Sequence, residues 1–212
     1  AGGSPEAQLD DQAGRLLINF LNNQNTGKRL IGGDRKEIGR QTEMMRALLS
    51  NWVIARSQGN LARDCLFLSM NNDLEGPGLV LARKLLEDDK NPLYNSTVQY
   101  ASILVGKFGS EEDVPLLEKQ MENKTVCHSW HTPQFKEIVR VEIRDVMLVM
   151  CLRLTGQDAK DYGYTLLQET PQTIYHVYTM GFPPDKPDEH EKAFERWKKW
   201  REEHPLKSEA KE

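Results

Sequence analysis

Two imidazoles and a thiol fall within five residues at Cys127-His128-Ser129-Trp130-His131. Nitrogen and sulfur donors of this kind bind transition metals, and a loop can bend to bring them onto one ion. Structural zinc, however, is held by four ligands, usually from paired Cys-x-x-Cys or His-x-x-x-His spacings. No second pair stands near these three residues, and His176, His190 and His204 are scattered singly. The Cys-x-x-Cys-His order of a haem attachment is also missing. Residue type therefore makes Cys127, His128 and His131 the chain's candidates for a metal or haem ligand set. Their spacing favours a connecting loop in which Trp130 packs and the histidines are solvated or hydrogen-bonded. A Cys127 nucleophile with His128 or His131 as base meets another objection: sequence neighbours rarely point at one another, and no third group is at hand to orient the base.

Other catalytic patterns fail more plainly. The chain has no Gly-x-Ser-x-Gly elbow, no His-Glu-x-x-His helix and no Gly-x-Gly-x-x-Gly turn. Thr26-Gly27-Lys28-Arg29 ends like a phosphate-binding loop but lacks the earlier Gly and the Ser or Thr after Lys. The expectation is a protein without cofactor or catalytic residues, acting through its surfaces.

Charge and hydropathy narrow the class of partner. With 28 Lys+Arg against 32 Asp+Glu, the net charge of −4 lacks the domain-wide basic footprint of a non-specific nucleic-acid binder. Only the stripe Lys28, Arg29, Arg35, Lys36, Arg40 and Arg46 could cradle a phosphate backbone, and a solvated helix face is the simpler reading of it. The longest apolar run, Val146 to Leu152, has seven residues, whereas a bilayer span needs about 20, so no membrane-spanning helix is expected. The three cysteines, Cys65, Cys127 and Cys151, are too few and too dispersed for a disulfide framework. Cys65 and Cys151 sit in strongly apolar segments, as small buried hydrophobes do.

The elements that must position these residues read as helices nearly throughout, and no stretch shows the sustained alternation of a half-buried strand. The fold class expected is all-α. Leu9, Ala13, Leu16, Leu17, Phe20 and Leu21 make one stripe of a first helix, with Ser4 as N-cap and Pro5 at its first position. Asp34 and Glu37 read as a capping pair for a second helix, whose apolar face is Ile38, Met45, Leu48, Leu49, Trp52 and Val53. From Leu61 a pattern of helix, short polar turn and second helix recurs three times. The first copy is LARDCLFLSM, turn, PGLVLARKLLEDD; the second is STVQYASILVGKF, turn, VPLLEKQMEN; the third is VEIRDVMLVMCLRL, turn, YGYTLLQET. In the second copy Ser110 caps the incoming helix with Asp113 at its third position, and Gly109 suits a left-handed residue closing the outgoing one.

The turns near Asn72, Gly109 and Gly156 lie 37 and 47 residues apart, bracketing a two-helix HEAT or armadillo-type unit of about 40 to 47 residues. Arg63-Asp64 in the first copy and Arg144-Asp145 in the third, each leading into an apolar helix, resemble the Arg-Asp opening of HEAT-like repeats. The second copy departs from it with Val98-Gln99-Tyr100. Lys160-Asp161-Tyr162-Gly163-Tyr164, followed by Trp197-Lys198-Lys199-Trp200, is similar to closing segments of HEAT-like regions in large exported bacterial proteins. The resemblance covers roughly residues 61 to 170 and implies a right-handed α-solenoid of helical pairs, one domain over 1–212, with an N-terminal pair (1–58), repeats (61–170), and a linker and capping helix (171–212).

Gly181 to Lys192 reads as a Pro-rich charged connection, followed by an amphipathic helix bearing Ala193, Phe194, Trp197 and Trp200. The function expected is protein interaction or scaffolding, with a protein partner, no nucleic acid and no membrane span. Candidate contact residues are Trp130, Tyr175, Tyr178, Trp197 and Trp200, since aromatic rings give contact area at recognition surfaces.

Overall fold

Proline at the first helical position leaves no amide hydrogen unbonded, and the first helix, α1 (Pro5–Asn22), begins at Pro5 as expected. A computed structural model describes residues 5–23, 30–31, 39–56, 61–88 and 93–205. Ser4, the Asp34 and Glu37 pair, Thr26 to Arg29, Arg35, Lys36 and the tail 206–212 lie outside the described residues.

Seven further helices follow among the described residues: α2 (Arg40–Ile54), α3 (Ala62–Asn71), α4 (Glu75–Glu87), α5 (Asn95–Phe108), α6 (Val114–Glu118), α7 (Ile143–Leu154) and α8 (Pro187–Glu203). Two antiparallel hairpins interrupt them, β1 (Val126–Trp130) with β2 (Val139–Glu142), and β3 (Glu169–Thr170) with β4 (Ile174–Tyr175). The fold is thus mainly α, and the all-α expectation is corrected at these two places. No helix among the described residues is long and apolar enough to cross a membrane.

The chain divides into two compact units, Ala1–Asp88 and Asp89–Glu212. In the first, α3 and α4 form a helical pair, α2 packs on α4, and α1 packs on α3. Gly14 lets α1 approach closely, because a Cβ there would press on Leu61 and Trp52. Arg46 of α2 donates to the carbonyls of Asn72 and Asp73 at 3.2 and 2.8 Å and to that of Ile31, so it holds the turn between α3 and α4. This member of the basic stripe is committed to the fold.

The buried face of α1 is not the expected one. On α1 the core takes Gly14, Ile18 and Leu21, while Leu16 and Phe20 are exposed. On α2 the expected face holds, with Leu49 and Val53 buried and Met45 and Trp52 half-buried, except that Leu48 is exposed; Ile38 lies outside the described residues. Both helices carry more apolar surface than their neighbours cover.

In the second unit α7 is the central element, buried at every position from Ile143 to Leu152, as a segment apolar on all faces requires. α5 and α6 pack against it. Gly106 makes the α5 contact possible, since a Cβ there would run into the Met150 side chain. The capping pair read at Ser110 and Asp113 is present, with the Ser110 amide donating to Asp113 Oδ2 at 3.0 Å. Gly109, by contrast, has φ −81 and is not left-handed.

Of the three helix-turn-helix copies, only α3–α4 forms two full helices. The second partner of copy two shrinks to the five residues of α6, and that of copy three is replaced by a 3-10 turn (Ala159–Tyr162), an irregular stretch and β3. Gly163 at φ 94 gives the physical reason, because a left-handed residue ends the helical turn at Tyr162.

Candidate functional site

The first amides of a helix lack intrahelical acceptors, and at the start of α7 the chain enters directly from β2. Asp145 at the third helical position accepts from the Glu142 amide at 2.7 Å, and Glu142 reciprocates in a capping box. Its second carboxylate oxygen, Oδ1, meets His190 Nε2 of α8 at 2.6 Å. Asp145 is fully buried; burial pushes its carboxyl above the ordinary carboxylate range, against the pull of the hydrogen bond from His190.

The neighbouring residues repeat the connection. Arg144, itself buried, donates to Glu142 at 2.6 Å and to both oxygens of Glu191 at 3.2 and 2.8 Å, and its guanidinium lies 4.6 Å over the Phe194 ring. An Arg-Asp pair on α7 therefore grips a His-Glu pair on α8. Phe182 stacks on His190 at 4.6 Å, and Tyr164 packs against Phe182 at 4.5 Å. One turn further along α8, Trp197 Nε1 donates to Glu118 Oε1 at 2.9 Å, and Arg201 Nε shares that acceptor at 2.9 Å.

This arrangement corrects the reading of Gly181 to Lys192 as an unpacked connection. Gly181, Phe182 and Pro183 are buried, and α8 starts six residues before Ala193, at Pro187. Pro at the first helical position with Asp188 and Glu189 behind it was the available signal. His190, Glu191 and Glu118 were missed because their partners lie 45, 47 and 79 residues away, beyond any local spacing rule. The first Arg-Asp pair behaves differently: among the described residues Arg63 bonds only its neighbour Asp64, at 3.0 Å, on the exposed side of α3.

The Cys127 to His131 segment is strand β1 and the residue after it, where a connecting loop was expected. The register shifts between Val126 and His128, so Cys127 sits at the irregularity, and its thiol donates to the Val141 carbonyl at 3.4 Å. His128 Nε2 pairs instead with Gln99 of α5 at 3.0 Å, and burial lowers its pKa. His131 is exposed beyond the end of the strand. The three candidate ligands thus have separate surroundings. Among the described residues no group of three or more His, Cys, Asp or Glu side chains is placed to hold a metal ion.

Burial pushes the Cys65 and Cys127 thiols up to about 12 and the Cys151 thiol well above its ordinary value. A thiolate nucleophile is correspondingly scarce at neutral pH. Treatment of the folded protein with a chromogenic disulfide reagent at pH 8 is expected to leave all three thiols largely unmodified over minutes, with three reacting in denaturant. Rapid stoichiometric modification of Cys127 in the folded state would contradict this.

The aromatic candidates separate in the same way. Trp197 is buried, and Trp200 lies half-buried between Trp197 and His204 in a stacked series with ring separations of 5.4 and 4.5 Å. Trp130 meets Tyr178 edge-on at 5.4 Å, and Tyr178 stacks on His176 at 5.1 Å. Tyr178 is exposed, and Tyr175 is half-buried in β4.

Hydrogen bonds from Arg144 pull the Glu191 carboxyl down to about 2, burial opposing. A carboxylate whose folded-state pKa lies below its unfolded one stabilises the fold above the unfolded value and stops doing so as pH falls through the folded one. The α7–α8 contact is therefore expected to weaken between about pH 4.5 and 2. Near-ultraviolet dichroism of the tryptophans should show a transition in that window that Glu191→Gln diminishes. An identical acid profile for the variant would remove Glu191 from the contact.

No family model matches the chain, nor does any curated protein or solved structure.

Proposed function

We propose that this chain is a non-catalytic protein-interaction module, a scaffold of HEAT-like helical pairs stacked as a right-handed α-solenoid. The observation that carries the reading is apolar surface left uncovered on regular helices of the first unit. Leu16 and Phe20 on α1 are 67% and 51% exposed, and Met44 and Leu48 on α2 are 59% and 66% exposed. Each pair has the i, i+4 spacing that puts two side chains on one helix face. Large apolar side chains grouped in this way mark interaction sites, whereas scattered ones do not. The buried thiols and the separation of Cys127, His128 and His131 weigh against the catalytic and metal-dependent alternatives. The nucleic-acid alternative loses Arg46 to the turn it holds.

The test is affinity capture with wild-type protein and with two doubly charged variants, Leu16→Lys with Phe20→Lys, and Met44→Lys with Leu48→Lys. A partner recovered by the wild type and lost with either folded variant supports the reading. A wild type that captures nothing the two variants do not also capture overturns it.

A further inference from the structure

A cleft in the second unit runs along the outer face of β2 to the start of α8 and is lined by His131, Lys136, Arg140, Phe182, Pro183 and His190, among others. Lys136 and Arg140 are exposed, and neither side chain has an ion-pair or hydrogen-bond partner among the described residues. His190 has its Nε2 engaged by the buried Asp145, which fixes the ring and leaves Nδ1 as the nitrogen available to a ligand. Two cations and an oriented imidazole thus border one cleft.

The cleft also contains two carboxylates. Glu142 is matched by Arg144 at 2.6 Å, while Glu137 is exposed and opposes an incoming anion. This balance favours one negative charge over two, because each added charge on the ligand meets the Glu137 field as well as the Arg140 field. The rest of the wall is apolar: Phe182 and Pro183 are buried beneath it, and Pro184 and Pro187 continue it. The lining is thus mixed, six charged or imidazole side chains beside five apolar ones, and polar groups that fix orientation next to an apolar stretch suit a ligand with both parts.

We infer that this cleft binds the carboxylate of a small ligand with an apolar body. Arg140 holds the carboxylate through its planar fork, Lys136 adds charge, the fixed His190 ring borders the bound group, and Phe182 with the prolines receives the apolar part. Asp145 is a positioning residue that orients the His190 ring and does not touch the ligand. The site lies within the second unit and is independent of the exposed helices on which the interaction reading rests.

The test is a titration of isotopically labelled protein with benzoate, read by amide and histidine-ring nitrogen resonances. Saturable shifts are expected at His190, Arg140 and Phe182, with acetate and inorganic phosphate each binding about tenfold more weakly. The double variant K136A/R140A, confined to exposed side chains, is expected to keep the wild-type spectrum elsewhere and to lose at least about tenfold in benzoate affinity. The inference fails if benzoate causes no saturable shift at these residues, if K136A/R140A binds it as tightly as the wild type, or if phosphate binds as tightly as benzoate.

Discussion

Replacing Trp197 by alanine is expected to lower the unfolding free energy by about 3–5 kcal/mol, the range for truncating a buried indole. Trp197 is 4% exposed and is the main apolar anchor of α8, and its ring nitrogen donates to Glu118. Two contributions are lost together: the packing of the ring, and a hydrogen bond to a charged acceptor that itself contributes about 1.5–3 kcal/mol. Trp197→Phe separates them, since it keeps most of the packing and removes only the donor. It should cost about half as much as the alanine variant. Urea denaturation followed by far-ultraviolet dichroism measures both. A loss below about 1 kcal/mol for Trp197→Ala would mean that α8 does not rest on the second unit in solution.

The second large effect is expected at Asp145. Its carboxylate has two partners, the Glu142 amide and His190, and no exposed surface. Asp145→Ala strands both partners and is expected to cost about 3 kcal/mol, as removal of one member of a buried pair does. Asp64→Ala provides the comparison, because Asp64 occupies the corresponding place in the other Arg-Asp pair. There the partner is the adjacent Arg63, the two side chains are 29% and 54% exposed, and the interaction is screened by water. A cost under about 1 kcal/mol is expected. Equal losses at the two positions would indicate that both pairs serve one structural purpose. Unequal losses would show that a shared dipeptide has been put to different uses in the two units.

This contrast explains which parts of the molecule were legible in the sequence. Helical periodicity located α1, α2, α3, α4, α5 and α7 because it depends only on nearest turns of one chain. It could not choose which face of α1 would be covered, because Leu16, Ile18, Phe20 and Leu21 offer apolar surface over most of the circumference. The neighbours decide that, and they are not local. β2 escaped notice because its alternation, Val139-Arg140-Val141-Glu142, lasts only four residues. β1 is further obscured by the shift in register at Cys127. Arg144 and Asp145 stood out as a motif, but their purpose became visible only with His190 and Glu191 beside them. The Pro-rich composition before Ala193 had masked the start of α8, although Pro187 itself is the residue a helix tolerates best at that place.

The grip of α7 on α8 also has a bearing on how the chain is made. Asp145 and Arg144 leave the ribosome some 45 residues ahead of His190 and Glu191. Closing a loop of that length opposes the contact by an entropy that grows only slowly with length. The greater difficulty is the order of events, since synthesis adds about 5–20 residues per second and α7 is complete seconds before its counterpart exists. During that interval Asp145 lacks His190 and Arg144 lacks Glu191, so each has only its local partner Glu142, and the bonding capacity left over favours water over burial. The second unit is therefore expected to remain loosely packed on the nascent chain until α8 emerges. Emergence of α8, rather than translation of α7, is then the step that commits this half of the protein to its fold.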